Sequence, residues 1–365
     1  MKINDVIKSL ENIAPLSLQE SYDNAGLIIG NPEDECTGII TSLDVTEAII
    51  KEAIQKKCNL IVAHHPLIFK GLKKLNGENY VERTVIAAIK NNIAIYAIHT
   101  NLDNIIEGVN KKIAEKLNLQ NCRVLLPKEG TLKKLVTFSP RENVDEVRNA
   151  LFEAGAGAIG KYDECSFNLE GKGTFKANEG SDPYVGKIGE RHTESETRIE
   201  VIFPGFLQYQ IVKSLKEVHP YEEVAYDIYA LENQRDDIGS GLIGEFPESI
   251  SEEELLKLLK STFGLSVVKH TPFLEKKISK VALCGGAGFF LLPNSIAAGA
   301  QVYITSDIKY HEFFDADNKI LLADIGHYES EQFTIGLIAE LLQQKFPNFA
   351  VLKTEIITNP VHYYT

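Results

Sequence analysis

Leu60-Ile61-Val62-Ala63-His64-His65-Pro66 joins four consecutive apolar residues to two adjacent histidines and a proline. An apolar run of that length reads as a strand buried on both faces, the kind found in parallel sheets. The chain then leaves the core at His64, at the carboxyl end of the strand, where open α/β sheets place their ligands. Neighbouring residues of an extended chain point to opposite sides. A His-His pair there faces two ligands, or one ligand and the groups that orient it.

The flanking sequence keeps the same rhythm. A strand over 38–43 and a helix over 45–57 precede the segment, and a helix over 80–91 and a strand over 93–98 follow it. Strands alternating with helices of this length imply βαβ crossovers. The last third repeats the pattern, with strands over 280–284, 302–305 and 319–323, helices over 289–298 and 308–316, and a long closing helix over 328–345. The middle differs: a strand over 134–138, a helix over 144–154, a Gly-rich stretch over 155–189, a strand over 198–203, a helix over 206–218 and a strand over 224–230. That order suits a small ferredoxin-like α+β domain. The expected architecture is an α/β protein whose core has two related α/β halves around mostly parallel sheets, residues 1–127 and 239–365. The ferredoxin-like α+β domain is inserted between them over 128–238.

Composition narrows the function. A chain of 365 residues exceeds one average domain. Its 44% hydrophobic and 24% charged residues are ordinary for a globular protein. A net charge of −13 argues against nucleic acid or an anionic membrane as the main partner. Residues 1–16 mix Lys2, Asp5, Lys8 and Glu11 among apolar positions, which is the pattern of an amphipathic helix and not of a signal peptide. No apolar run approaches membrane-spanning length. Five scattered cysteines without CxxC spacing favour neither a disulfide framework nor a thiolate zinc site, and a reducing cytoplasm is expected.

Chemistry collects just past the strands. Asp44 follows the first; His64 and His65 the second; His99 and Asp103 the third. In the C-terminal half Gly285-Gly286-Ala287-Gly288, Asp307 and Asp324 follow strands, and His327 and Glu331 stand four apart, on one face of a helix start. Strand ends of a parallel sheet share one edge, so these residues can converge. Imidazole nitrogens mixed with carboxylate oxygens suit a divalent ion such as zinc, iron, manganese or nickel. Their number, about twice what one ion needs, points to a two-metal site with a bridging carboxylate.

Plainer readings stand beside these. A single strand-end histidine is more often a hydrogen-bonded structural residue. Asp44, Asp307 and Asp324 read first as N-caps of the following helices. His99 is either a ligand or, preferably, a group that orients Asp103. His311 is either a proton carrier or a surface residue. The glycines of 285–288 either offer amides to an anion or allow close packing. Gly239-Ser240-Gly241-Leu242-Ile243-Gly244 matches GxGxxG without opening a helix after a strand, so no dinucleotide cofactor is expected. No nucleophile elbow is present, and Cys284 alone is a poor nucleophile.

Five ordered segments resemble the GTP cyclohydrolase I type 2 homologue family, also called NGG-interacting-factor-three-like. They are Ser21-Tyr22-Asp23-Asn24-Ala25-Gly26-Leu27, Ala63-His64-His65-Pro66, His99-Thr100-Asn101-Leu102-Asp103, Thr305-Ser306-Asp307-Ile308-Lys309-Tyr310-His311 and Gly326-His327-Tyr328-Glu329-Ser330-Glu331. The resemblance covers essentially the whole chain. The middle segment, with His219-Pro220-Tyr221-Glu222-Glu223, is similar to the PII/CutA-like insert of the long bacterial members. The resemblance implies two divalent metal ions per subunit held by His64, His65, Asp103, His327 and Glu331, with Glu331 bridging. It also implies a toroidal homohexamer whose openings the inserts cap. Tyr22 stands where the family usually has Trp, and Leu242 where Arg is common, which removes an expected phosphate contact. The reading is a metal-dependent hydrolase acting on a nucleotide or related small molecule, with Asp44, His99 and His311 as candidate proton carriers. The alternative is a non-catalytic metal-binding or regulatory ring.

Overall fold

The computed structural model describes residues 1–364. They form two compact units, one made of Met1–Pro127 with the described residues from Asp236 onward and the other of Lys128–Arg235. The larger unit opens with β1 (Gly26–Ile29), β2 (Ile39–Ser42), β3 (Leu60–Ala63) and β4 (Ala94–Ala97). Every residue of β2, β3 and β4 is buried, as the unbroken apolar runs of β3 and β4 require, and β2 buries Thr41 and Ser42 as well. They pair in parallel, with Ser42 level with Ala63 and Ala63 level with Ala97. Their carboxyl ends therefore coincide, and residues 43–44, 64–65 and 98–99 emerge along one rim. The crossover helices Glu47–Gln55 and Tyr80–Lys90 start at Thr46 and Asn79, whose side chains accept backbone N–H groups of the first turn. β1 runs antiparallel to β4, and β5 (Gln120–Pro127) leaves for a second sheet.

The smaller unit has β6 (Leu132–Pro140), helix Val144–Glu153, β7 (Ser166–Lys176), β8 (Arg191–Pro204), helix Gln208–Val218 and β9 (Tyr226–Ala230). Its sheet has the order β7-β8-β6-β9 with every pairing antiparallel. Leu135, Val147, Leu151, Ile199, Phe203 and Leu215 form its own buried core. β7 lies inside the Gly-rich stretch over 155–189, where no strand was expected. It has no buried residue along its length: Phe167 and Leu169 alternate with polar residues but stay exposed, and pairing with β8 alone holds it.

The chain returns through β10 (Gly239–Ser251), β11 (Lys269–His270), β12 (Lys277–Leu283), β13 (Val302–Thr305), β14 (Leu321–Asp324) and β15 (Val351–Lys353). The second sheet has the order β11-β14-β13-β12-β10-β5. Only β12, β13 and β14 are mutually parallel, so this half is less parallel than expected. The GxGxxG segment is a stretch of β10, paired on both sides. β15 adds to the first sheet beside β2. The helix expected over 328–345 is two helices, His327–Glu331 and Thr334–Lys345. The helix expected over 308–316 is a 3₁₀ segment, Tyr310–Ala316. One apolar core takes Leu60, Val62 and Tyr96 from the first sheet, Val281, Leu283 and Ile304 from the second, and Ile338 and Leu342 from the helix Thr334–Lys345. No helix among the described residues is long and apolar enough to cross a membrane.

Candidate metal centre

The rim of the first sheet supplies the buried side of the site. His64 is fully buried. Its Nδ1 donates to the Ile98 carbonyl at 2.9 Å, which leaves Nε2 as a lone-pair donor. That Nε2 lies 3.6 Å from Asp103 Oδ1 and 3.9 Å from Glu331 Oε1. Both His64 Nε2 and Asp103 Oδ1 are buried without a hydrogen-bond partner. The side chain of His65 turns the other way, its Nδ1 on Asp44 Oδ1 at 2.8 Å and its Nε2 on Glu331 Oε2 at 3.0 Å. His99 donates Nδ1 to Asp23 Oδ1 at 2.8 Å, and its ring stands 5.2 Å from that of His64 and 5.3 Å from that of His65. Ligand atoms of His64, His65 and His99 lie within reach of a common ion.

The second sheet supplies the other side. His327 Nε2 lies 3.1 Å from Glu331 Oε2 and 3.3 Å from His65 Nε2, and its Nδ1 meets Asp307 Oδ2 at 2.6 Å. The break after Glu331 lets this short helix aim both side chains at the site while the helix Thr334–Lys345 packs into the core. Gly286 makes room for the carboxylate. Its φ of 63° lies in the left-handed region, and a Cβ there would stand 2.3 Å from Glu331 Oε1. The amides of Gly285, Gly286 and Gly288 donate to Asn110, Ser330 and Thr305, so those three glycines serve packing and not an anion.

The site carries an excess of negative charge that its histidines feel. Burial disfavours the His65 cation, but Asp44 and Glu331 outweigh it and push its pKa up to about 9. Burial works against His327 in the same way, and Asp307 with Glu331 raises it to about 11. Burial, then the Glu331 charge, lifts Asp103 to about 7. Burial also opposes ionisation of Asp23, yet His99 and Thr100 hold it near 2. Two imidazole nitrogens 3.3 Å apart sharing one carboxylate oxygen need a cation, whether protons or a metal ion.

The aspartates depart from the expected capping. Asp44 accepts from the His65 ring and, on its other oxygen, from Thr358 Oγ1 at 2.6 Å; Thr46 caps the helix instead. Asp307, at φ 57°, holds the His327 ring. Asp324 receives the Lys269 ammonium at 2.5 Å and the Gly326 and Ile308 amides, which makes it a structural brace. Sequence reasoning gave no role to Asp23 or Thr358. Asp23 sits in a quoted motif, but nothing local announces a partner 76 residues away. His311 is exposed beside Tyr310 and Phe314 and does not line the cavity. Leu242 is buried in the core, whereas Tyr22 lines the cavity.

That cavity measures about 1140 Å³ and is walled by both sheet rims and by Thr358, Asn359 and Tyr363 of the C-terminal tail. Similarity to known proteins extends over this whole arrangement. The family described as Duf34/NIF3 (NGG1p interacting factor 3) matches residues 1–360. A Halalkalibacterium halodurans protein named GTP cyclohydrolase 1 type 2 homolog is 38% identical over 359 residues, covering 98% of this chain and 96% of that one. A Bacillus subtilis protein of the same name is 36% identical over 361 residues, with 97% and 96% covered. The crystal structure of a Bacillus cereus protein related to NIF3 superposes with a TM-score of 0.86 at 36% identity, covering 100% of this chain and 99% of that one. With two sheet rims meeting at a His-rich cavity and full-length similarity of this strength, the chain belongs to the Duf34/NIF3 (NGG1p interacting factor 3) family.

Proposed function

We propose that this protein is a dinuclear metal-dependent hydrolase acting on a nucleotide-derived small molecule. The observation that carries the reading is the pair of buried, partnerless atoms His64 Nε2 and Asp103 Oδ1 beside Glu331, whose two oxygens face different nitrogens. A buried polar atom left unpaired costs roughly 1–3 kcal/mol, and a divalent ion removes that cost. The donor set fits: His64, Asp103 and Glu331 Oε1 would hold one ion, and His65, His327 and Glu331 Oε2 the other. When bound, such ions supply Lewis acidity and a water acidic enough to react near neutral pH.

The chain's own groups do the rest. The Ile98 carbonyl, Asp44 and Asp307 each occupy the far nitrogen of a ligand ring and thereby fix its tautomer. Asp44, with both oxygens engaged, positions His65 and is not free to carry protons. His99, held by Asp23, presents its Nε2 to the cavity and is the proton carrier best placed beside the reacting atoms. The names of the curated relatives, GTP cyclohydrolase 1 type 2 homolog, support a nucleotide-derived substrate. The strand order of the smaller unit supports a ferredoxin-like domain inserted over 128–238 into a core of residues 1–127 and 239–365. Family resemblance supports a homohexamer, which sedimentation of the purified protein tests.

Elemental analysis after chelator-free purification tests the metal part. About two ions per chain are expected, and a chain that stays metal-free after incubation with zinc, iron or manganese overturns it. A panel of nucleosides, nucleotides and phosphoesters tests the hydrolase part. Turnover that disappears in His65→Ala is expected; no turnover across the panel leaves a non-catalytic metal protein.

A further inference from the structure

The walls of the metal cavity narrow the substrate class. Eight carboxylates line it, and Lys269, already paired to Asp324 at 2.5 Å, is the sole Lys or Arg among the described lining residues. Four positive charges from two divalent ions do not offset that number. Beyond the ligands, Asp44, Asp307, Glu329 and Glu47 keep the wall negative, with Glu47 partly countered by Arg83 from outside the lining at 2.9 Å. The glycine-rich turn that offers anion-binding amides elsewhere has the amides of Gly285, Gly286 and Gly288 bonded within the protein. A triphosphate in this cavity meets like charge on several sides and finds no unpaired Lys or Arg among the described lining residues.

Aromatic rings are what the wall offers instead. Tyr22, Phe69 and Phe290 line the cavity while remaining 70%, 49% and 58% exposed, so their faces are open to a ligand. The Phe69 ring stands edge-on to His99 at 5.6 Å, which sets a stacking surface directly beside the metal-binding histidines. Burial, then Glu20 and Asp103, hold the Tyr22 phenol protonated above its usual range, so it adds a ring without adding charge.

We infer that the cavity takes a planar heterocycle carrying no polyphosphate, a neutral or cationic nucleobase or nucleoside, stacked on Phe69 and Tyr22 with a polar edge toward the metal ligands. This rests on reading the site as a hydrolytic centre for a nucleotide-derived molecule, but binding tests it without turnover. Isothermal titration of the metal-loaded full chain with guanosine and with magnesium-GTP is the experiment. Guanosine is expected to bind at least ten-fold more tightly than GTP. Phe69→Ala, or Tyr22→Ala should that variant fold better, lowers guanosine affinity about five-fold. Glu47→Lys, which also releases Arg83, narrows the gap at least three-fold. GTP binding as tightly as guanosine, no binding of either, or guanosine affinity unmoved by both aromatic variants overturns the inference. Guanosine bound while no member of the nucleoside, nucleotide and phosphoester panel is turned over sinks the hydrolase reading and leaves the binding preference standing.

Discussion

His64 and His65 are neighbours in sequence with opposite surroundings. One is sealed in the core on a main-chain carbonyl, and the other is partly open and steadied by Asp44. Under the proposed ligand assignment this makes their substitutions separable. His64→Ala is expected to remove about half of the bound metal and Glu331→Ala nearly all of it, read by elemental analysis of the purified variants. Asp44→Ala removes no ligand, yet it frees the His65 ring, so metal affinity should fall about 10- to 100-fold in a competitive chelator titration. At this scale the sequence was informative wherever a residue stood at a strand end: His64, His65, Asp103, His327 and Glu331 all come together. It was silent on Asp23 and Thr358, because a residue that orients a ligand is chosen by a tertiary contact and leaves no local pattern. The aspartates were misjudged for a related reason. A carboxylate just before a helix has the same sequence signature whether it meets the helix amides or a histidine ring across the rim.

Burial along a whole strand helped to make it legible, although β10 and the helix Glu252–Phe263 went unread despite their buried residues. β2, β3, β4, β13 and β14 are short runs buried at every position, and the apolar residues that open each of them announce it. β7 and the two-residue β11 have no buried face and went unread. The break between the last two helices was also hidden, since Gln332 and Phe333 are compatible with a continuous helix; the break meets the site's demand that His327 and Glu331 face the first sheet's rim. Gly286 shows a second demand of the site on its loop. Gly286→Ala should cost about 1–2 kcal/mol for the left-handed backbone alone, and its Cβ would push Glu331 aside. Lower thermal stability together with lost metal is the expected outcome, and metal retained in full would refute the steric argument. The C-terminal tail is anchored at Glu52, which is buried and accepts from the Thr354 hydroxyl, the Glu355 amide and Lys56. Burial opposes its ionisation, but these donors prevail and hold its carboxyl below the usual range. A lowered carboxylate gives its full stabilisation above the unfolded value near 4.3 and loses it as pH falls through the folded value. The protection of the Glu355 amide, its exchange rate relative to the intrinsic rate at each pH, should therefore fall below about pH 4.3 in the native chain and be low across the whole range in Glu52→Gln.

At the scale of the molecule, every residue assigned to the site lies in the discontinuous unit, and the smaller unit has a core of its own. Pro127 and Gly239 are paired across β5 and β10, so the chain ends left by removing the smaller unit are already adjacent. Replacing 128–235 by a short Gly-Ser linker should leave metal content unchanged, and the isolated 128–235 fragment should melt cooperatively by circular dichroism. A metal-free product would show that the smaller unit supports the site. That the middle segment differs from its flanks was visible from element order, whereas the meeting of two sheets was not. A single shared edge was expected, and no sequence periodicity reports which sheet a strand will join. One connection bears on how the protein is made. β15 pairs with β2, which lies about 300 residues earlier in the chain, and Thr358 reaches back to Asp44. A nascent chain paused before residue 351 lacks that edge strand, and until residue 331 is translated it also lacks Glu331, while His64 and His65 are already outside the ribosome. Under the proposed ligand assignment, metal loading therefore waits for Glu331, translated more than 260 residues after His64 and His65.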